Sequence, residues 1–183
     1  SSFMVLDEAT RRNLKLTKPI REGRSAKKTT LLGLLDRTKT AMGGRMLRGW
    51  LTQPLTDKRA INARLDAVAA FAEDMILRAA IGDALDKVYD LERLCSRLSY
   101  GTLNARDALS LKHSLSVIPS IKNDVLAAGH PALSAFAEKL DPLTGLHAIL
   151  ENAVAEDPPA VITEGGIIKE GYNGQIDELR QAS

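Results

Sequence analysis

Cysteine is nearly absent from this chain. Cys95 is the single one among 183 residues, so no internal disulfide can form. Its expected place is as a small buried hydrophobe in a reducing compartment. Aromatic residues are scarce at 4%, so any core must be built from Leu, Ile, Val, Ala and Met, a mix that favours helices over sheets. A net charge of +2 is too small to signal a nucleic-acid partner by itself. No apolar run is long enough to span a membrane, and the N-terminus lacks the basic-then-apolar layout of a signal peptide. There is no internal repeat and no low-complexity stretch. What remains is ordinary for a globular domain: 44% hydrophobic and 26% charged residues. A chain of this length buries about 70% of its unfolded surface on folding.

The patterning predicts a succession of helices. Asp7 is placed to cap a short helix through Leu14. Helices are expected at about 30–37, 43–53, 58–81 and 83–99, with Gly101 ending the last of these. In the third, Ile61, Leu65, Val68, Ala72, Met75 and Ile76 form one long regular stripe. Asn104 and Asp107 form a capping pair for a helix whose face includes Ala108, Leu111, Leu115 and Ile118. Pro119 should kink or restart that helix, and Gly129 should end it. Pro131 and Pro142 fall at first-turn positions of two further short helices. Beyond residue 155 prolines and glycines flank two β-prone runs, Val161-Ile162 and Ile167-Ile168, and Gly165-Gly166 reads as a turn of positive φ. The chain stops inside a new helix from Gln175, with no stop signal, which reads as the interior of a longer protein.

Sites of chemistry are sparse. Gly23 to Thr30 has Lys28 where a phosphate-binding loop needs its second glycine, and no strand precedes it. His113, His130 and His147 lack partners at metal-ligand spacing, and no serine sits in a nucleophile elbow. No catalytic, cofactor-binding or metal-binding residue is assigned. Lys15, Lys18, Arg21, Arg24, Lys27 and Lys28 cluster in a basic loop without an aromatic to stack bases, so weak phosphate contact is the most it supports. Arg37, Arg45 and Arg48 surround Gly43-Gly44 and are candidates for an interdomain joint, because a guanidinium fork pairs well with carboxylates or carbonyls of a neighbour. Trp50, at helical spacing with Met46, Leu47 and Leu51, is expected in the core.

The wording of several segments is more specific than their periodicity. Asp-Arg-Thr-Lys-Thr-Ala-Met-Gly-Gly-Arg-Met-Leu-Arg-Gly-Trp-Leu-Thr-Gln-Pro-Leu over 36–55 resembles the run D-R-T-x-T-x-x-G-x-R-x-L-R-x-W-L-x-x-P-L in the core (lever) domain of the MutS family of DNA mismatch-repair proteins. Leu6 to Leu14 resembles that domain's L-D-x-A-T-x-x-N-L opening, Ile61 to Val68 its I-x-x-R-L-D-A-V helix, and Asp90 to Leu94 its D-L-E-R-L segment. Asp157-Pro158-Pro159 followed by Glu164 to Tyr172 is similar to its D-P-P…E-G-G-x-I-x-x-G-Y loop. These blocks stand in family order across nearly the whole chain.

The resemblance implies an all-α domain: an irregular multi-helix core, eight or nine helices, with long lever helices and one small β element near 160–170. It implies three parts. Residues 1–29 would form an N-terminal segment and basic loop, 30–174 the helical core, and 175–183 the start of a lever helix leading toward an absent DNA clamp. The implied task is mechanical, coupling mismatched-DNA binding to an ATPase domain elsewhere in the parent chain, where ATP and magnesium would bind. The parent would be a homodimer acting in the bacterial cytoplasm at the nucleoid and recruiting a MutL-type factor. A MutS paralogue in recombination control and a stand-alone helical DNA-binding module are the alternatives.

Overall fold

A computed structural model describes residues 2–19, 29–159 and 161–182, without the side chain of Ile162. Its described residues form ten α-helices and almost no strand. They are α1 (Glu8–Asn13), α2 (Leu31–Leu35), α3 (Ala41–Thr52), α4 (Lys58–Glu73), α5 (Met75–Leu85), α6 (Leu91–Ser99), α7 (Ala105–Ala128), α8 (Pro131–Lys139), α9 (Thr144–Ala153) and α10 (Gly174–Gln181). The all-α expectation holds. One helix more is present than the patterning suggests: Asp74 ends the first of the two helices expected over 58–81 and 83–99, and the second boundary falls after Leu85 rather than at residue 82, so that α6 begins only at Leu91.

Asp74 splits the expected 58–81 helix. Its backbone N–H closes α4 on Ala70, while its carboxylate accepts from the Leu77 N–H at 2.8 Å and opens α5. A short acidic side chain that bonds its own neighbouring backbone offers the chain an alternative to continuing the helix. Caps elsewhere follow the sequence reading. Asp7 accepts from the Thr10 N–H at 2.6 Å. Asn104 and Asp107 exchange bonds as a full capping box. Gly101 and Gly129 take positive φ where α6 and α7 end.

The spine is α7, 24 residues and about 36 Å long at 1.5 Å per residue. It does not restart at Pro119. The hydroxyls of Ser116 and Ser120 donate to the His113 and Val117 carbonyls, at 2.7 and 2.8 Å, in the turns around the ring. Helices α5, α6, α8 and α9 all pack against it. The main core joins Ala70 of α4, Leu77 and Ile81 of α5, Val125 of α7, and Leu133 and Ala137 of α8. A second cluster sets Ala108 of α7 against Ala153 and Val154 at the end of α9.

Several expectations are corrected. Pro142 lies before α9 rather than in its first turn. Leu143 adopts φ 49° as the N-cap, and its N–H bonds to the Asp141 carboxylate at 2.9 Å. The β element is a single antiparallel bridge, Val154 with Ile168, and Val161-Ile162 takes no part in it. Val161 instead leads into a 3-10 turn over Ile162–Glu164. Gly165 and Gly166 take φ 72° and 69°, as a tight turn requires. A second bridge, Phe3 with Leu55, ties the N-terminus to the chain beyond α3. Cys95 is exposed, because α6 buries only the neighbouring Leu94. Trp50 is 39% exposed, and no residue of α3 is buried.

Candidate interdomain joint

No residue of α3 is fully buried, though Met42, Leu47 and Leu51 are half-buried, and polar contacts help to fix its position. Upstream of it, the Asp36 carboxylate accepts from the Thr38 N–H at 3.0 Å and the Thr38 hydroxyl at 2.7 Å. Thr40 then caps α3, its hydroxyl accepting from the Gly43 N–H at 3.0 Å. This folded turn lies against the first turn of the helix. A Cβ on Gly43 would sit 3.2 Å from Thr40 Oγ1 and 3.3 Å from Thr38 Cβ. The Asp-x-Thr-x-Thr-x-x-Gly wording is therefore a cap, with glycine where the capping turn comes closest.

Arg45 fixes the other side. Its Nη1 and Nη2 donate to both oxygens of Asp90 at 2.9 and 2.6 Å, and its Nε donates to Glu92 at 2.7 Å. Asp90 is itself the N-cap of α6, accepting from the Arg93 N–H. One guanidinium thus joins two of the sequence blocks, the one holding α3 and the one opening α6. Lys39 adds a second tie, to Asp86 at 2.6 Å. The bidentate Arg45 fork, with a smaller contribution from the Arg93 N–H, holds the Asp90 carboxyl below the usual carboxylate range, against the opposing effect of burial. At the far end of α6, Arg97 pairs with Asp107 at 2.6 Å.

A carboxyl whose pKa is depressed on folding stabilises the fold above its unfolded value, about 3.9. That contribution fades as pH falls through the folded value. Asparagine caps helices as well as aspartate does. Asp90→Asn should therefore destabilise the domain at pH 7 through loss of the charged fork, and the gap from wild type should narrow progressively as pH falls below about 4. Urea titrations in steps downward from pH 7 measure it, and a gap that does not narrow at all below about pH 4 would show that the loss is not electrostatic.

The other joint candidates are placed differently. The Arg37 side chain is exposed and donates to the backbone carbonyl of its neighbour Asp36 at 3.0 Å. Arg48 is exposed on α3. Trp50 lies under the Arg64 guanidinium, 4.0 Å from ring centroid to Cζ. Of the basic loop, Lys15 and Lys18 are exposed, Lys18 beside Arg11 and Arg12 in a surface pocket. Arg21, Arg24, Lys27 and Lys28 lie outside the described residues. Sequence reasoning did not find Lys39, Asp86, Asp90 and Glu92 as partners in the joint. The Asp90 block was legible as a motif, but a separation of 45 residues leaves no local cue that it meets Arg45.

The described residues include no group of three His, Cys, Asp or Glu side chains that could hold a metal, and no helix long and apolar enough to cross a membrane. The family model for MutS domain III matches residues 9–182. The chain belongs to this family. It is 48% identical over 181 residues to the DNA mismatch repair protein MutS of Pelotomaculum thermopropionicum, covering 98% of this chain and 21% of that protein. The MutS protein of Alkaliphilus metalliredigens is 46% identical over 180 residues, covering 98% of this chain and 20% of the relative. That of Acetivibrio thermocellus is 46% identical over 183 residues, covering 99% and 21%. This domain III chain thus spans about a fifth of the length of the relatives it matches. The ties between α3 and α6 are contacts within domain III.

Proposed function

We propose that the domain is a mechanical relay, a lever in a longer mismatch-repair protein. It couples the binding of mismatched double-stranded DNA in one part of the parent to an ATPase domain in another. The observation that carries this reading is α7, a single rod of 24 residues against which α5, α6, α8 and α9 are packed. Closely packed interiors transmit a displacement as a rigid body instead of absorbing it. The domain supplies no catalytic group, and ATP and magnesium belong to the ATPase domain. The parent acts as a homodimer in the bacterial cytoplasm, at the nucleoid, and recruits a MutL-type factor. The mismatch-repair names of the three relatives favour this over recombination control.

Within this reading Arg37 and Arg48 are the residues offered to a neighbouring domain, while Arg45 holds α3 in place for them. Lys15 and Lys18 contribute at most weak, sequence-blind phosphate contacts. The test is made in the full-length parent. Arg37→Ala combined with Arg48→Ala should leave mismatch affinity within about twofold. ADP release stimulated by mismatched DNA should fall by about fivefold or more, the lower end of usual coupling energies. If stimulation is intact, the joint lies elsewhere.

A further inference from the structure

Lys112 of α7 is a buried charge, 7% exposed. An ammonium taken out of water needs a counter-charge. Glu151 of α9 supplies it, with 3.1 Å between Lys112 Nζ and Glu151 Oε2. Losing one partner of such a pair leaves an uncompensated charge in the interior, so the contact holds the Glu151 carboxylate in one place. The same contact is the main reason that the Glu151 carboxyl lies below its usual range, with Lys169 a smaller one. The second carboxylate oxygen, Oε1, lies 3.8 Å from Lys169 Nζ. Between two mobile side chains an ion pair of this kind would fix little, because ordering both offsets the attraction. Here one of them is already ordered.

Lys169 belongs to the segment 167–172, which runs from the body of the domain to α10. The segment meets the end of α9 at one bridge, where the Lys169 N–H donates to Ala153 and the Ala155 N–H donates to Ile167, both at 2.8 Å. So short a pairing is marginal by itself. Helix α10 leans on this segment in turn. No residue of α10 is fully buried, and Ile176 is its one half-buried apolar side chain. Arg180 Nη2 donates to the Ile168 carbonyl at 2.6 Å, and the Gly171 N–H donates to Asp177 Oδ2 at 2.9 Å. We infer that Glu151 is a positioning residue for α10: its carboxylate joins Lys112 on the spine to Lys169, and the 167–172 segment carries that placement to α10 through Arg180. The contacts run unbroken from α7 to α10, as a physical coupling path requires. The inference rests on the reading of α7 as the rod of a relay, and it names where a displacement of the rod would leave it.

The test is a distance between α7 and α10. Nitroxide labels at positions 123 and 178, both exposed, are placed in the full-length parent after its native cysteines are replaced. Labelled chains are diluted into unlabelled ones, so that pulsed dipolar spectroscopy reads distances within one chain. The parent should give one narrow distance. Lys169→Met should shift or broaden it by about 5 Å, one helical pitch, and Lys169→Arg should keep it. Glu151→Gln combined with Lys112→Met removes the pair without stranding a buried charge, and it should displace α10 as Lys169→Met does. An unchanged distance in either of these two variants would overturn the inference and leave α10 seated by Ile176 and its own hydrogen bonds. Groups on one path do not contribute additively, so adding Arg180→Met to Lys169→Met should move the helix little further. Shifts that simply sum would show independent anchors and would also overturn it. The distance reads the seat of α10 and not coupling. A displaced α10 with undiminished mismatch-stimulated ADP release in the Lys169→Met parent would sink the relay and leave the positioning role standing. Lost stimulation in the Arg37 and Arg48 variant, with an α10 that Lys169→Met does not move, would do the reverse.

Discussion

Leu77→Ala should lower the stability of the domain by roughly 2–5 kcal/mol, whereas Leu65→Ala should change it by no more than about 0.5 kcal/mol. Both are leucines in helical segments only twelve positions apart, so helix propensity and side-chain chemistry are matched. Their surroundings are not. Leu77 is 5% exposed and packed among Ala70, Ile81, Val125 and Leu133, contributed by α4, α5, α7 and α8. Truncation there removes buried methyl groups and leaves a cavity that four helices cannot all close upon. Leu65 is 58% exposed, and truncation removes surface that water already reaches. Chemical denaturation of both variants of the 183-residue chain measures the contrast. Equal costs would mean that the Leu65 side of α4 belongs to this domain's own core.

That contrast marks where the sequence was legible and where it was not. Elements governed by local chemistry could be read directly. The caps at Asp7 and Asn104, the positive-φ glycines 101, 129, 165 and 166, and the all-α class each depend on a few adjacent residues. Properties set by distant neighbours could not. Helix α4 has apolar residues on two sides, and the longer, more regular stripe is the exposed one. Periodicity reports that a face is apolar without saying what covers it. Trp50 shows the same limit: its spacing is that of a core residue, but the surface it meets is the Arg64 guanidinium. Asp74 was hidden because a capping aspartate inside a continuous pattern looks like any exposed helix residue. Arginines clustered around Gly43-Gly44 supplied the candidate joint, but which of them would be occupied within the domain depended on the meeting of α3 with α6.

That meeting leads back to one buried hydroxyl. Ser114 on α7 is fully buried. Its Oγ accepts the Tyr89 N–H at 2.9 Å and donates to the Ser110 carbonyl at 2.8 Å. Tyr89 lies in the linker between α5 and α6, flanked by Asp86 and Asp90, the two carboxylates that hold Lys39 and Arg45. A single side chain on the spine therefore sets the register of the linker, and the linker sets the position of α3. Ser114→Ala leaves the Tyr89 N–H without its acceptor and should cost about 1–3 kcal/mol, the penalty for stranding a partly buried donor. Threonine keeps the hydroxyl, so Ser114→Thr should recover part of that loss. Neighbouring groups in one network do not contribute additively. Once Ser114 is alanine, adding Arg45→Ala should therefore destabilise the domain less than Arg45→Ala does in the wild type. Urea denaturation of the two single variants and the double variant provides the comparison. Strict additivity would show that α3 is held by its ion pairs independently of α7, and the path from spine to joint would have to run through other residues.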